Sequence, residues 1–245
     1  MSDKILIIGE SCKDVFIYGK ASRLCPEAPV PVFNPTSVIE NGGMATNVLR
    51  NVLALGYKAD LFTNENWKTI TKTRFIDSNM NHMLLRVDEH DANYGTRDLT
   101  KINFQDYNGV IISDYNKGFL STDDIEFICN HHQNVFIDTK KTLGNWCHNS
   151  KFIKINKSEF EKTKHSIDKK IKEKLIVTLS KEGCMHKGII YPVVGVEIKD
   201  VAGAGDTFIA SLTVKYLETF DISKAIEFAN QCATIVVQKR GTSTI

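Results

Sequence analysis

The stretch Asp200-Val201-Ala202-Gly203-Ala204-Gly205-Asp206-Thr207-Phe208 runs small residues straight into an apolar helical pattern. Phe208, Ile209, Leu212, Tyr216 and Leu217 recur at helical spacing over residues 206–220. Residues 223–237 repeat the pattern with Ile226, Ala229, Ala233, Val236 and Val237. Upstream, short apolar runs stand at 5–8, 110–112, 135–137, 152–155 and 175–179. Several lack the alternation of a half-exposed strand, as expected of strands buried on both faces of a parallel sheet. Helical segments lie between them. Residues 44–55 carry apolar side chains at 48, 49, 52, 53 and 55, and Gly56 provides a stop. Ser121 is placed to cap a helix whose stripe is Ile125, Ile128 and Cys129. Together these segments predict an α/β fold, an α/β/α sandwich with a mostly parallel central sheet.

A chain of 245 residues suits one large α/β domain, and no repeat or low-complexity linker divides it, so residues 1–245 read as one domain. The 31 Lys and Arg against 29 Asp and Glu leave a net charge of +2, which gives no nucleic-acid footprint. The longest apolar runs are far below the ~20 residues that span a bilayer. Met1-Ser2-Asp3-Lys4 leads directly into a strand-like run with no apolar signal region, so a cytoplasmic protein is expected. The six cysteines are scattered without a Cys-x-x-Cys pair, which gives neither a zinc site nor a disulfide framework.

Residues 11–37 and 70–90 differ from the rest. They contain Val15-Phe16-Ile17-Tyr18, Val30-Pro31-Val32-Phe33 and Met83-Leu84-Leu85-Arg86-Val87. Prolines 26, 29, 31 and 35 exclude helix and fit edge strands or turns. A small antiparallel flap attached to the main sheet is expected, able to cover a site or to pair with a second subunit. Residues 151–174 hold nine lysines against four acids, read as a solvated helical face, with a phosphate-attracting rim as the sharper alternative. His131, His132 and His165 read as surface features.

In open parallel sheets, ligands bind beyond the carboxyl ends of the strands. The residues just past those ends are polar throughout: Glu10, Ser11 and Asp14; Ser113, Asp114 and Lys117; Asp138 and Lys140; Asn156 and Glu159; Ser180 and Lys181. Any one of them is an ordinary turn residue, but five sets on one rim point to a site. In the glycine-rich turn, backbone N–H groups at the positive end of the helix form an anion nest. A lone Asp in a first helical turn is commonly just a dipole-matched carboxylate. That reading leaves the side-chain-free turn before it unexplained. Phosphoryl transfer explains both: the nest holds the moving phosphoryl group while Asp206 takes the proton of an attacking hydroxyl. Asn41-Gly42-Gly43-Met44-Ala45-Thr46-Asn47 also leads into a helix, and Asn47 offers donors and an acceptor to sugar hydroxyls.

These segments resemble the ribokinase, or phosphofructokinase-B, family of sugar kinases. Gly42-Gly43-x-Ala45-x-Asn47 with Gly56 is similar to its N-terminal signature, and Asp200-x-x-Gly203-Ala204-Gly205-Asp206 to its C-terminal one. Asn156-Lys157-Ser158-Glu159 resembles its Asn-x-x-Glu motif, and residues 177–183 its nucleotide-binding strand and turn. Residues 22–32, Ser113-Asp114-Tyr115-Asn116-Lys117-Gly118 and the ending Gly241-Thr242-Ser243-Thr244-Ile245 resemble the bacterial D-glycero-D-manno-heptose-7-phosphate kinases more closely. The resemblance implies a ribokinase-like fold with a β lid and an ATP- and Mg²⁺-dependent kinase acting on the anomeric hydroxyl of a heptose 7-phosphate. It implies Asp206 as general base, with residues 202–205, among them Gly203, Ala204 and Gly205, as the anion hole. Asn156 and Glu159 would help place Mg²⁺ and ATP through water, and Ser180, Gly183 and Asn230 would lie near the nucleotide. Asp14, Gly42, Gly43 and Asn47 would hold sugar hydroxyls, and Asp114, Lys117 and Arg86 the sugar and its distal phosphate. Asp200 and Ser243 sit where relatives bind a monovalent cation such as K⁺. A homodimer through the flap is expected, with no nucleic-acid or membrane partner.

One departure stands out. Between Gly56 and Thr69 the family usually carries a longer strand–helix–strand insertion, and here only residues 57–68 fill the gap. The nucleotidyltransferase domain that often follows this kinase is not expected before Ile245. A kinase for another sugar, sugar phosphate or nucleoside, and an inactive sugar- or nucleotide-binding relative, stay open as alternatives.

Overall fold

Alternation within the first apolar run determines how the sheet is covered. In a computed structural model, which describes residues 4–91, 94–95, 98–239, 241 and 243–245, strand β1 (Lys4–Gly9) sends Ile5 and Ile7 to one face and Leu6 and Ile8 to the other. All four are buried. Thr242 of the C-terminal motif lies outside the described residues. The remaining strands are β2 (Ser11–Leu24), β3 (Pro31–Met44), β4 (Lys58–Phe62), β5 (Thr71–Asp77), β6 (His82–Glu89), β7 (Gly109–Asp114), β8 (Val135–Thr139), β9 (Phe152–Asn156), β10 (Leu175–Thr178), β11 (Cys184–His186) and β12 (Ile189–Tyr191). The helices are α1 (Ala45–Ala54), α2 (Thr122–His131), α3 (Lys157–Thr163), α4 (Lys169–Lys172), α5 (Ala204–Thr219) and α6 (Ile222–Val236).

The main sheet has eight strands in the order β12-β11-β10-β9-β8-β7-β1-β4. Pairing is parallel from β4 to β10, and only the β10–β11 and β11–β12 pairs are antiparallel. The expected α/β sandwich is therefore present. One face packs Ile5, Ile7, Ile111, Phe136 and Ile176 against α1, α5 and α6. The other packs Leu6, Ile8, Val110 and Ile153 against α2, Phe160 of α3 and Ile171 of α4. Gly56 ends α1 at φ +86°, and Ser121 caps α2 in a reciprocal box with Asp124, both as the sequence predicts. Because the core strands are parallel, Gly9, Asp114, Thr139, Asn156 and Thr178 end on one rim. The first turn of α1 meets the same rim, where Ala45 N–H donates to the Glu10 carbonyl at 2.9 Å.

The flap departs from expectation in two ways. It is a separate four-stranded sheet, β3-β2-β5-β6, and its central β2–β5 pair is parallel. Also, β3 runs on to Met44, so Gly42 and Gly43 lie in a strand and not in a loop before the helix. Pro31 and Pro35 sit on β3, an edge strand that needs fewer N–H donors, while Pro26 and Pro29 lie in the preceding turn. Phe16, Tyr18 and Ile76 form the flap's own small core, and Ala202 of the glycine-rich turn packs against it. The flap thus covers the rim of the main sheet.

Two smaller readings are corrected, on the lysines and on His132, and the cysteines are free as expected. Of the nine lysines, Lys154 is buried in β9, and Lys174 donates to the Ser150 carbonyl at 2.7 Å and to that of His148. Neither lies on a solvated helical face. His132 is buried, its ring bonded to the Tyr107 carbonyl at 3.0 Å and to Asn134 N–H at 3.1 Å. Five of the six free cysteines are buried, and Cys25 is partly so.

Ile111 sits at the centre of the sheet with no exposure. Ile111→Ala is expected to cost ~2–5 kcal/mol in urea unfolding with the slope unchanged. A loss below ~1 kcal/mol would contradict a core centred on β7.

Candidate active site

Asp206 is the third residue of α5 and only 4% exposed. Its Oδ2 accepts from Asn47 Nδ2 of α1 at 2.9 Å, and its Oδ1 from the Tyr115 O–H at 2.8 Å. Behind this, Thr207 Oγ1 donates to Asn51 Oδ1 at 3.1 Å, and Asn51 Nδ2 to the Asn47 carbonyl at 2.9 Å. A polar seam thus joins α1 to α5. Burial pushes the Asp206 carboxyl from 3.8 up to about 6, against the opposing effect of its Asn47 and Tyr115 donors. Asp138 adds to the rise and Lys154 opposes it.

Tyr115 is held by a strap. Buried Glu10, just past β1, accepts the Tyr115 N–H at 2.8 Å and the Lys117 N–H at 2.9 Å. Burial first, then Asp114, raise the Glu10 carboxyl despite those donors. Burial and the Asp206 charge hold the Tyr115 phenol well above 10, so it stays a donor to Asp206.

Asp206 lines two cavities at once. A cleft of about 950 Å³ runs from Lys154, Asn156 and Glu159 past residues 203–206 to Val194, Ile198 and Val237. A cavity of about 290 Å³ lies under the flap, lined by Asp14, Lys72, Arg74, Arg86, Asp91 and Lys117 among others. Gly203, Tyr115 and Lys140 also line both. In the small cavity the charges are paired. Asp14 accepts from Arg74 at 2.8 Å, and Asp88 takes Arg86 at 2.7 and 2.9 Å. Asp91 bridges Lys72 at 2.8 Å and Lys117 at 2.7 Å. Burial opposes its ionisation, but those two lysines and Tyr94 outweigh that and hold the Asp91 carboxyl far below its ordinary value.

Gly203 begins the helix at φ +81°, a left-handed conformation that favours glycine. Among the described residues the amides of Gly203, Gly205 and Asp206 have no backbone acceptor. Those of Ala202 and Ala204 are engaged, by Asp200 Oδ1 at 2.9 Å and by the Val201 carbonyl at 3.3 Å. The expected nest is corrected accordingly: its free donors are Gly203, Gly205 and Asp206.

Residues 63–245 match the pfkB family of carbohydrate kinases. The chain belongs to that family. Its members are phosphotransferases whose acceptor is an alcohol. A bifunctional protein HldE of Helicobacter pylori strain J99 is 33% identical over 296 positions, covering 98% of this chain and 64% of the relative. Its counterpart in Aliarcobacter butzleri is 30% identical, covering 98% and 62%. The chain thus spans just under two thirds of these curated relatives. Since 296 aligned positions exceed 245 residues, at least 51 positions of the first relative have no counterpart here, consistent with a trimmed scaffold. The fold is shared with a nucleoside kinase of Methanocaldococcus jannaschii (TM-score 0.70, 18% identity, 98% and 93% coverage). It is also shared with a ribokinase of Arabidopsis thaliana complexed with ribose and ATP (TM-score 0.69, 14% identity, 98% and 94%).

Most residues that the family resemblance singles out converge on these two cavities. Asn156 and Glu159 form a reciprocal capping box on α3, and Glu159 Oε1 lies 3.3 Å from Lys140 Nζ at the cleft wall. Ser180, Gly183 and Asn230 line the same cleft, with Asn230 Nδ2 donating to the Tyr191 carbonyl at 2.9 Å. Asp14, Arg86 and Lys117 line the small cavity. Gly42 and Gly43 lie at the end of β3 against neighbouring side chains. A Cβ on Gly43 would stand 2.5 Å from Asp14 Oδ2, and one on Gly42 2.1 Å from Thr46 Cγ2, so both glycines make room for neighbouring side chains. Asn47 is fully buried and orients Asp206. Asp114 is corrected too: it accepts from Lys141 Nζ at 2.8 Å, from Asn116 N–H at 3.1 Å and from Thr139, with its side chain fully buried. It braces the rim and borders the large cleft, not the small cavity. Asp200 accepts from Gly241 N–H at 3.1 Å, and Ser243 Oγ donates to the Gly241 carbonyl at 3.4 Å, so the two converge on one residue.

Lys72, Arg74, Asp91 and Lys154 escaped the sequence reading. Lys154 had a signal, a lysine inside the apolar strand run Phe152-Ile153-Lys154-Ile155. Its Nζ lies 2.8 Å from Asp138 Oδ2, and this partner raises its pKa although burial alone would lower it.

The folded Asp206 carboxyl binds its proton more tightly than an unfolded one. It therefore favours folding at pH values below about 4 and disfavours it above about 6. Asp206→Asn, whose amide keeps an acceptor for Asn47 and a donor for the Tyr115 oxygen, is expected to gain ~1–3 kcal/mol at pH 8 and much less at pH 4. Chemical denaturation at both pH values measures this, and a variant less stable than wild type at pH 8 would contradict it.

Proposed function

We propose that this chain transfers the γ-phosphoryl group of ATP to a sugar hydroxyl, namely the anomeric hydroxyl of a heptose 7-phosphate. One observation carries the reading: a buried carboxylate at the seam between a long, partly apolar cleft and a small charged cavity, beside unengaged helix-terminal amides. The cleft suits the nucleotide, with Val194, Ile198 and Val237 offering an apolar wall and residues 203–206 facing the phosphates. The small cavity suits the acceptor. Asp206 takes the hydroxyl proton as the oxygen forms its bond to phosphorus, and the phosphorus–oxygen bond to ADP breaks with its electron pair leaving on ADP. Under the flap, Lys72, Arg74, Arg86 and Lys117 would serve a phosphate carried by the acceptor as donors, exchanging their Asp14, Asp88 and Asp91 partners for it. The motif resemblance to heptose 7-phosphate kinases and the HldE relatives point to the same acceptor class.

Mg²⁺ arriving with ATP would draw charge from the phosphates. Among the described residues no three acidic, His or Cys side chains converge, so Glu159 and Asn156 would hold its water shell, as suits this ion. Asp200 and Ser243 are the candidates for a monovalent cation, tested by the K⁺ dependence of the rate. A homodimer would form through the flap, whose Val38, Ile39, Met83 and Leu85 are all about half exposed. A single kinase unit working in the cytoplasm completes the proposal.

ADP release over a panel of acceptors tests it. Heptose 7-phosphate is expected to be turned over in preference to ribose, fructose 6-phosphate and nucleosides. Selective use of an unphosphorylated sugar would reject the acceptor class. Asp206→Asn is expected to lower kcat by ~10³-fold or more with the KM for ATP nearly unchanged. Wild-type kcat/KM for the acceptor should fall about tenfold per pH unit below about 6, as the base of the free enzyme becomes protonated. A flat profile down to pH 5 would remove Asp206 as the base.

A further inference from the structure

Lys154 has no part in the scheme above, yet it occupies an unusual position. It is 5% exposed, points from β9 into the large cleft and carries its charge next to the start of α5. A Cβ placed on Gly205 would stand only 2.8 Å from Lys154 Nζ. The ammonium therefore lies against the helix end whose Gly203, Gly205 and Asp206 amides are free. As a structural arrangement this is unfavourable. A helix N-terminus already carries partial positive charge and prefers an anion beside it. A buried ion pair such as Lys154–Asp138 is also weak support for stability. Cation and helix end side by side make physical sense when a more highly charged anion sits between them.

We infer that Lys154 is a catalytic residue that contacts the transferring γ-phosphoryl group of the nucleotide, opposite the amides of Gly203 and Gly205. In the free protein Asp138 holds the ammonium in place at 2.8 Å and keeps it charged, while Gly205 leaves the gap that lets it approach the helix. During transfer the equatorial oxygens of the phosphoryl group take the ammonium as a further donor, and no covalent bond to Lys154 forms or breaks. Lysine serves better here than arginine, because a compact point charge fits the space beside Gly205.

This inference rests on the proposed phosphoryl transfer, and the test separates the two. The affinities of ADP and of the non-hydrolysable analogue AMP-PCP are measured with Mg²⁺ for wild type, Lys154→Met and the double variant Lys154→Met/Asp138→Asn. The double variant avoids an unpaired buried carboxylate if the single one fails to fold. Loss of Lys154 is expected to weaken AMP-PCP about tenfold or more while ADP changes less than about twofold. It should also lower kcat by ~10²–10³-fold with a much smaller change in KM for ATP. Equal weakening of both nucleotides would make Lys154 a structural residue and overturn the inference, as would wild-type kcat in either variant. Wild type that binds both nucleotides but phosphorylates no acceptor would defeat the proposed function, and the affinity comparison would still decide the role of Lys154.

Discussion

Keeping a carboxylate out of water at the N-terminus of α5 is the constraint around which the rim is built. Asp206 has two oxygens, and each has one donor: Asn47 from α1 and Tyr115 from the loop after β7. Without them, an ionised carboxylate at 4% exposure would be strongly disfavoured. Their presence explains the Asn51–Thr207 seam that fixes α1 to α5 and the Glu10 strap that fixes Tyr115. Burial is only partly compensated, which leaves a base that is stronger than an exposed aspartate and still ionised at neutral pH.

The framework of the fold was legible because its signals are local. Both-face burial of the runs at 5–8, 110–112 and 152–155, a glycine stop at 56 and a cap at Ser121 need only near neighbours in sequence. The glycine turn before Asp206 was legible for the same reason. What failed depends on long-range pairing. The parallel β2–β5 pair joins strands that are 60 residues apart in the Arg74–Asp14 contact, which no local pattern encodes. Asp114 looked like a ligand-binding rim residue, but Lys141 and Thr139 claim it from the next strand's loop. Lys154 was counted with its surface neighbours because the lysine-rich composition of residues 151–174 was read as one face, although the strand run around it was legible.

The stretch after Gly56 is short. β4 is the outer strand of the main sheet, and the chain passes through residues 63–70 directly into the flap. Ser11 N–H donates to Asn64 Oδ1 at 2.8 Å, so this short connection is itself tied to the start of β2. The flap in turn rests on Ala202 through Phe16 and Tyr18, and Asn81 Nδ2 reaches the Lys199 carbonyl at 2.8 Å. Lid and glycine turn are therefore in contact.

The account stands or falls on the environment of Asp206. Carbon-13 NMR titration of the aspartate carboxyl groups, with Asp206 assigned by its loss in Asp206→Asn, measures that environment without any substrate. One resonance with a midpoint near pH 6 is predicted. If the Asp206 carboxyl titrates with the exposed aspartates near pH 4, it is open to water, and the buried base described here does not exist.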